Sequence, residues 1–224
     1  MPPSAAWAAQ LWRRLPVHAL VKATGTTAFM VLFFWGYFAV MRYPLAPAVE
    51  MPVTAPDAWV GPSAIAFPVY ASLWVYVSLP PALFSRFRTL ALFGFWAALM
   101  CVSCLLVFWL WPTTVPDFPV DWGDFPGMAT IKGVDPGGNA CPSLHVASAV
   151  FAAAWLDRLL RGVGAPPGWR FGNAVYCLAI VWSTMATRQH VFLDVAAGLV
   201  VGIFFAALSL RHARGHADVQ PPPA

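Results

Sequence analysis

Two histidines in a strongly apolar chain carry the chemistry that this sequence offers. His190 stands four residues before Asp194 in the segment running from Ser183 through Thr187, Arg188 and Gln189. On a helix that spacing places both side chains on one face. A carboxylate against one imidazole nitrogen fixes the tautomer and leaves the other nitrogen free as a base or nucleophile. His145 closes the segment Gly137-Gly138-Asn139-Ala140-Cys141-Pro142-Ser143-Leu144-His145. Pro142 suits the first turn of a helix, where its missing N–H costs nothing, and the glycines let backbone approach a ligand closely. A helix N-terminus bearing a serine hydroxyl and a histidine makes a natural phosphate site. The bland alternative for His190 and Asp194 is an interfacial pair, but an acid inside a transmembrane helix is costly and usually functional.

The elements that must position these residues follow from composition. Of the 224 residues, 60% are hydrophobic and 10% charged, against about 45–50% and about 25% in a typical soluble domain. Too few charges exist to build a solvated shell, so the expected fold is all-α: a polytopic membrane helix bundle forming one transmembrane domain over residues 1–210. About twenty apolar residues cross the hydrocarbon, and this length gives six candidate spans, roughly 23–41, 63–83, 89–111, 143–160, 171–187 and 191–210. Residues 112–141 form an outer-face loop, rich in proline and aspartate, that suits a cover over a site. Residues 211–224 read as a disordered, polar, proline-ended tail.

Charge placement sets the orientation. With six spans, Arg13, Arg14, Lys22, Arg86, Arg88, Arg158, Arg161, Arg170, Arg211 and Arg214 fall on one side, and only Arg42, Lys132 and Arg188 on the other. This bias puts both termini in the cytoplasm. His145 at the start of the fourth span and His190 just before the sixth then share the outer face. Arg188 and Lys132, two of the three outward cations, lie close to them in sequence, and a phosphoryl transition state wants positioned cations around its oxygens. No basic run with interleaved aromatics exists, so a nucleic-acid partner is not expected. Cys101 and Cys104 have C-x-x-C spacing, but their apolar flanks make them small buried thiols rather than a metal or redox pair.

Pro142-Ser143-Leu144-His145 resembles the P-S-x-H motif of the type-2 phosphatidic acid phosphatase superfamily, and Ser183 through Asp194, ending in H-x-x-x-D, resembles that superfamily's last motif. Asn139-Ala140-Cys141, Thr187-Arg188-Gln189-His190 and Trp111-Pro112-Thr113 are similar to the branch related to inositol phosphorylceramide synthase. The resemblance implies a membrane enzyme acting on a lipid phosphate at the outer face, in a bacterial inner (plasma) membrane with the site toward the periplasm. It implies His190 as nucleophile, Asp194 as its orienting partner and His145 as acid and base. Ser143, Arg188 and Lys132 would hold phosphate oxygens, and neither metal nor cofactor is implied. The superfamily's usual lysine–arginine motif before P-S-x-H is missing, and Thr184 stands where an arginine is usual. Hydrolysis is the leading expectation. The alternatives are head-group phosphotransfer and, in another class, a non-catalytic transport or scaffold protein of the same fold.

Overall fold

Four stretches are helical, long and apolar enough to cross a membrane: Ala19–Arg42, Ala66–Leu83, Phe87–Leu110 and Phe192–His212. In the computed structural model, which describes residues 6–120, 137–215 and 218, they form α2 (Ala19–Arg42), α4 (Ala66–Ala71) with α5 (Leu73–Leu83), α6 (Phe87–Leu110) and α9 (Phe192–His212). The second stretch, expected as one unbroken span, is divided at Ser72, whose hydroxyl donates back to the Val69 carbonyl at 2.6 Å. Large apolar side chains such as Leu32, Trp35, Phe95, Val102, Val200 and Ile203 lie exposed along these helices. Such surfaces belong in hydrocarbon rather than water, and this is the architecture of an integral membrane protein.

The fourth and fifth expected spans differ from the others. They form α7 (Leu144–Gly162) and α8 (Pro167–Ala186), of 19 and 20 residues. Both are long enough, but their shared end carries charges: Asp157 accepts from Arg161 at 2.8 Å and from Arg170 at 2.7 Å. Protein rather than lipid surrounds α7. Phe151, Trp155, Leu159 and Ala147 pack with Phe84, Phe93 and Phe108 on one side, while Ala149, Ala152 and Leu156 pack with Leu73, Cys177 and Ile180 on the other. The indole N–H of Trp155, fully buried, donates to Ser209 Oγ at 2.9 Å, which satisfies its one polar atom.

Small residues set the closest helix contact. A Cβ at Gly198 of α9 would fall on the Ser143 carbonyl, and one at Gly202 would lie 2.7 Å from the Ala147 carbonyl oxygen. The Gly198-x-x-x-Gly202 pair therefore lets α9 lie backbone-to-backbone on α7, the packing that small residues permit in membranes.

The connections hold more structure than their composition suggests. The two-residue strands β1 (Val49–Glu50) and β2 (Thr113–Thr114) pair in parallel, Val49 with Thr113 and Glu50 with Thr114. The short helix α3 (Ala55–Trp59) follows β1, and α1 (Ala6–Arg14) precedes α2. The buried ammonium of Lys22 donates to the carbonyls of Arg14 at 2.8 Å and Ala82 at 2.7 Å, so one cation caps the ends of α1 and α5. The expected disordered tail is ordered in part. The last helix runs to His212, and Asp218 is buried, accepting from the backbone N–H groups of Ser85 and Arg86 and from the Ser85 hydroxyl. A carboxylate beside two backbone donors gains charge-assisted bonds. Arg14 and Asp218 thereby meet at one end of the bundle.

Candidate active site

The Pro142–Ser143 turn is built by three separate elements. Ser143 is the N-cap of α7, and its Oγ accepts the Val146 N–H at 3.3 Å. Pro142, expected in the first helical turn, instead precedes the cap. Serine takes that place because its oxygen can accept an otherwise unpaired N–H, which proline cannot do. The Ser143 N–H donates to the Asp194 carbonyl at 2.9 Å, tying the turn to α9. Upstream, Cys141 N–H donates to Thr113 Oγ1 at 2.8 Å. Asn139, in the left-handed region at φ 52, donates from Nδ2 to the Tyr37 carbonyl at 3.1 Å.

The second segment begins in the last turn of α8 and ends in the first turn of α9, and residues 187–191 between them form a turn. It joins α8 to α9, with Arg188 in the left-handed region at φ 51. The N–H groups of Gln189 and His190 both donate to the Thr184 carbonyl at 3.1 Å. His190 therefore stands just before α9, where the expected spans 171–187 and 191–210 leave it, and the helical face that its spacing to Asp194 suggested is not formed. They meet for another reason. Asp194 is the third residue of α9, where its Oδ2 accepts the N–H of Val191, the helix N-cap, at 3.1 Å. Curled back in this way, the same oxygen lies 3.5 Å from His190 Nδ1, an ion-pair distance longer than a good hydrogen bond. Asp194 is fully buried and His190 nearly so.

The two histidines, 45 residues apart in sequence, face each other with His190 Nε2 and His145 Nδ1 at 3.3 Å. The order Asp194–His190–His145 leaves one imidazole nitrogen of His190 turned from its carboxylate toward a second imidazole. A carboxylate-backed imidazole beside a proton-carrying partner is suited to nucleophilic transfer at a phosphorus or acyl centre. Both histidines line a cavity of about 800 Å³ between α2, α5, α6 and α7, whose walls include Phe33, Trp74, Phe93 and Leu144 and which extends to Lys22 and Gly25. Ligand pockets commonly measure about 300–1,000 Å³. The site thus opens into a largely apolar chamber.

The remaining expected residues are placed differently. Ser143 is fully buried and stands behind the chamber wall as a cap. Arg188 is half-buried, with its guanidinium carbon 4.5 Å from the Phe118 ring centroid and Nη1 donating to the Asp57 carbonyl at 3.2 Å. Lys132 lies outside the described residues. Cys141, next to the motif, has its thiol pushed up to about 11 by burial and then by the Asp194 carboxylate, so it stays protonated at neutral pH and is a poor nucleophile.

Two further residues touch the site. Tyr70 Oη lies 2.7 Å from His145 Nε2. Asp57, buried, accepts the Phe192 N–H on Oδ1 at 2.7 Å and the Thr54 N–H on Oδ2 at 2.7 Å. The connection between α2 and α4 is thereby clamped onto the start of α9. Thr54-x-x-Asp57 is readable as a helix start, but no spacing links residue 57 to 192, or 70 to 145.

Residues 110–216 match the model of a family described as the PAP2 superfamily, a stretch holding both histidines, Asp194, Ser143 and Arg188. No curated protein and no solved structure matches the chain.

Proposed function

We propose that this chain is a membrane phosphoesterase of the PAP2 type that hydrolyses a lipid phosphate through a phosphohistidine. The observation that carries the reading is the facing pair of imidazoles, 3.3 Å apart, at the wall of an apolar chamber. A head group is then held at the histidines while an apolar tail fills the space toward Lys22. The similarity of residues 110–216 to the PAP2 superfamily supports the same class of substrate.

The steps follow from the atoms present. His190 Nε2 attacks phosphorus as the bond to the leaving oxygen breaks, and His145 gives that oxygen a proton. Asp194 stabilises the positive charge that develops on the His190 ring. Water then attacks the phosphohistidine, its proton passing to His145 while the N–P bond electrons return to His190. Arg188, Lys132 and the N-terminus of α7, which Ser143 caps, are assigned to the phosphate oxygens. Six spans with both termini cytoplasmic put this chemistry at the periplasmic face of a bacterial inner membrane, the orientation that the basic residues favour.

The test is purified protein given a lipid phosphate monoester labelled at phosphorus, in EDTA, with and without a lipid alcohol. Labelled inorganic phosphate is the expected product in both arms. A new labelled lipid in the second arm reassigns the activity to head-group transfer by the same residues. No labelled product in either arm supports a non-catalytic protein of this fold and sinks the proposal.

Asp57 gives a second prediction. Asp57→Ala removes the acceptor of the Phe192 N–H, a lost hydrogen bond that costs about 0.5–3 kcal/mol, and frees the turn that carries His190. Turnover is expected to fall between about 10- and 100-fold, as small misplacements of reacting groups do, with thermal unfolding in detergent at lower temperature. Asp57→Asn keeps an acceptor and is expected to recover part of both. Wild-type turnover in Asp57→Ala would show that the clamp does not position His190.

A further inference from the structure

Tyr70 holds a place that neither the two histidine motifs nor the matched region, which begins at residue 110, assigns. Its ring packs on the His145 imidazole with centroids 4.9 Å apart, its hydroxyl oxygen meets Nε2 at 2.7 Å, and Trp74 closes the neighbouring side at 6.1 Å. Tyr70 is buried and lines the same chamber as both histidines. With Nε2 turned to Tyr70, the nitrogen of His145 that faces His190 is Nδ1. A phosphorus bonded to His190 Nε2 therefore lies beside Nδ1, on the side of the ring away from Tyr70.

A hydroxyl is a fitting partner for a ring that changes charge, since it can donate to a lone pair or accept from an N–H. We propose that Tyr70 is a positioning residue that holds His145 by Nε2, so that Nδ1 is the atom that gives and takes the catalytic proton. This rests on the phosphoryl-transfer reading above. Beside the negative charge of a bound phosphate ester His145 enters the reaction as an imidazolium, with Nε2–H donated to Tyr70 and Nδ1–H aimed at the leaving oxygen. As the His190 N–P bond forms and the P–O bond breaks, the Nδ1 proton passes to that oxygen. The neutral ring keeps Nε2–H on Tyr70 and presents a lone pair at Nδ1. That lone pair takes the proton of the attacking water, and the imidazolium is restored as the N–P bond breaks. Tyr70 itself neither gains nor loses a proton.

Tyr70→Phe removes one oxygen and keeps the ring. The informative comparison is kcat/KM for two lipid-tailed phosphate esters, one with an alkyl leaving group and one with an activated nitrophenyl group. An alkoxide must be protonated as it leaves, whereas a nitrophenolate departs without help. In the variant, kcat/KM on the alkyl ester is expected to fall between about 10- and 100-fold, while the activated ester stays within about twofold. The retained activated-ester activity also shows that the variant is folded. Equal losses on both esters, the mark of a merely structural role, overturn the assignment, as does an unchanged rate on the alkyl ester. Wild-type protein that cleaves neither ester sinks the phosphoryl-transfer reading, and this assignment with it.

Discussion

His190→Ala is expected to lower lipid phosphate hydrolysis by on the order of 10⁴-fold or more, because no other group described in the site can take over the bond to phosphorus. The Nε2 atom of His190 faces the partner imidazole and Asp194 backs the other nitrogen, so removing the ring removes the centre of the arrangement. The phosphorylated protein, trapped at alkaline pH where phosphohistidine survives, is expected in wild type and absent from the variant. His145→Ala leaves the nucleophile but not the proton carrier, and a loss of about 10²–10⁴-fold is expected for that role. The double variant is expected to be little worse than His190→Ala, since residues that act as a unit are non-additive. A phosphorylated intermediate that persists in His190→Ala would move the nucleophile elsewhere and end the proposed mechanism.

Gly198→Ala tests whether helix packing makes the site. The added methyl falls on the Ser143 carbonyl, a backbone atom that cannot swing aside as a side-chain tip can. Overpacking of this kind costs about 1–3 kcal/mol. It also pushes apart the two backbones that carry His145 and Asp194, and a shift near 1 Å at reacting groups costs up to about 100-fold in rate. Both a lower unfolding temperature in detergent and a large loss of turnover are expected. Gly172→Ala is the control. It sits in α8, where an added methyl would meet nothing within 4 Å, and replacing a helical glycine there is expected to be neutral or to stabilise by about 0.5–1 kcal/mol. If Gly198→Ala behaves like Gly172→Ala, the close approach of α7 and α9 is not what assembles the site.

The glycine pair marks the limit of what a local pattern specifies. Gly198-x-x-x-Gly202 is visible in the sequence, yet within one long apolar stretch it does not say which helix it faces. The apolar lengths at Ala19–Arg42, Phe87–Leu110 and Phe192–His212 were legible because hydrocarbon thickness imposes a length that only composition has to meet. The division of the second span at Ser72 and the protein-buried course of α7 were not, because both depend on neighbours rather than on local character.

The sequence by itself determined the solvent, the helical class and the pair of segments proposed to bear chemistry, since these rest on composition and on short motifs. His145, His190 and Asp194 were identifiable as types at spacings. Only the tertiary structure decided which atoms meet: Nε2 of His190 toward Nδ1 of His145, Asp194 reaching back as a cap, and Tyr70 and Asp57 brought in from helices far earlier in the chain. The physical reason is range. Hydropathy and capping act within a turn or a span, whereas the orientation of an imidazole is set by hydrogen bonds and close backbone contacts across the bundle, which no local pattern records.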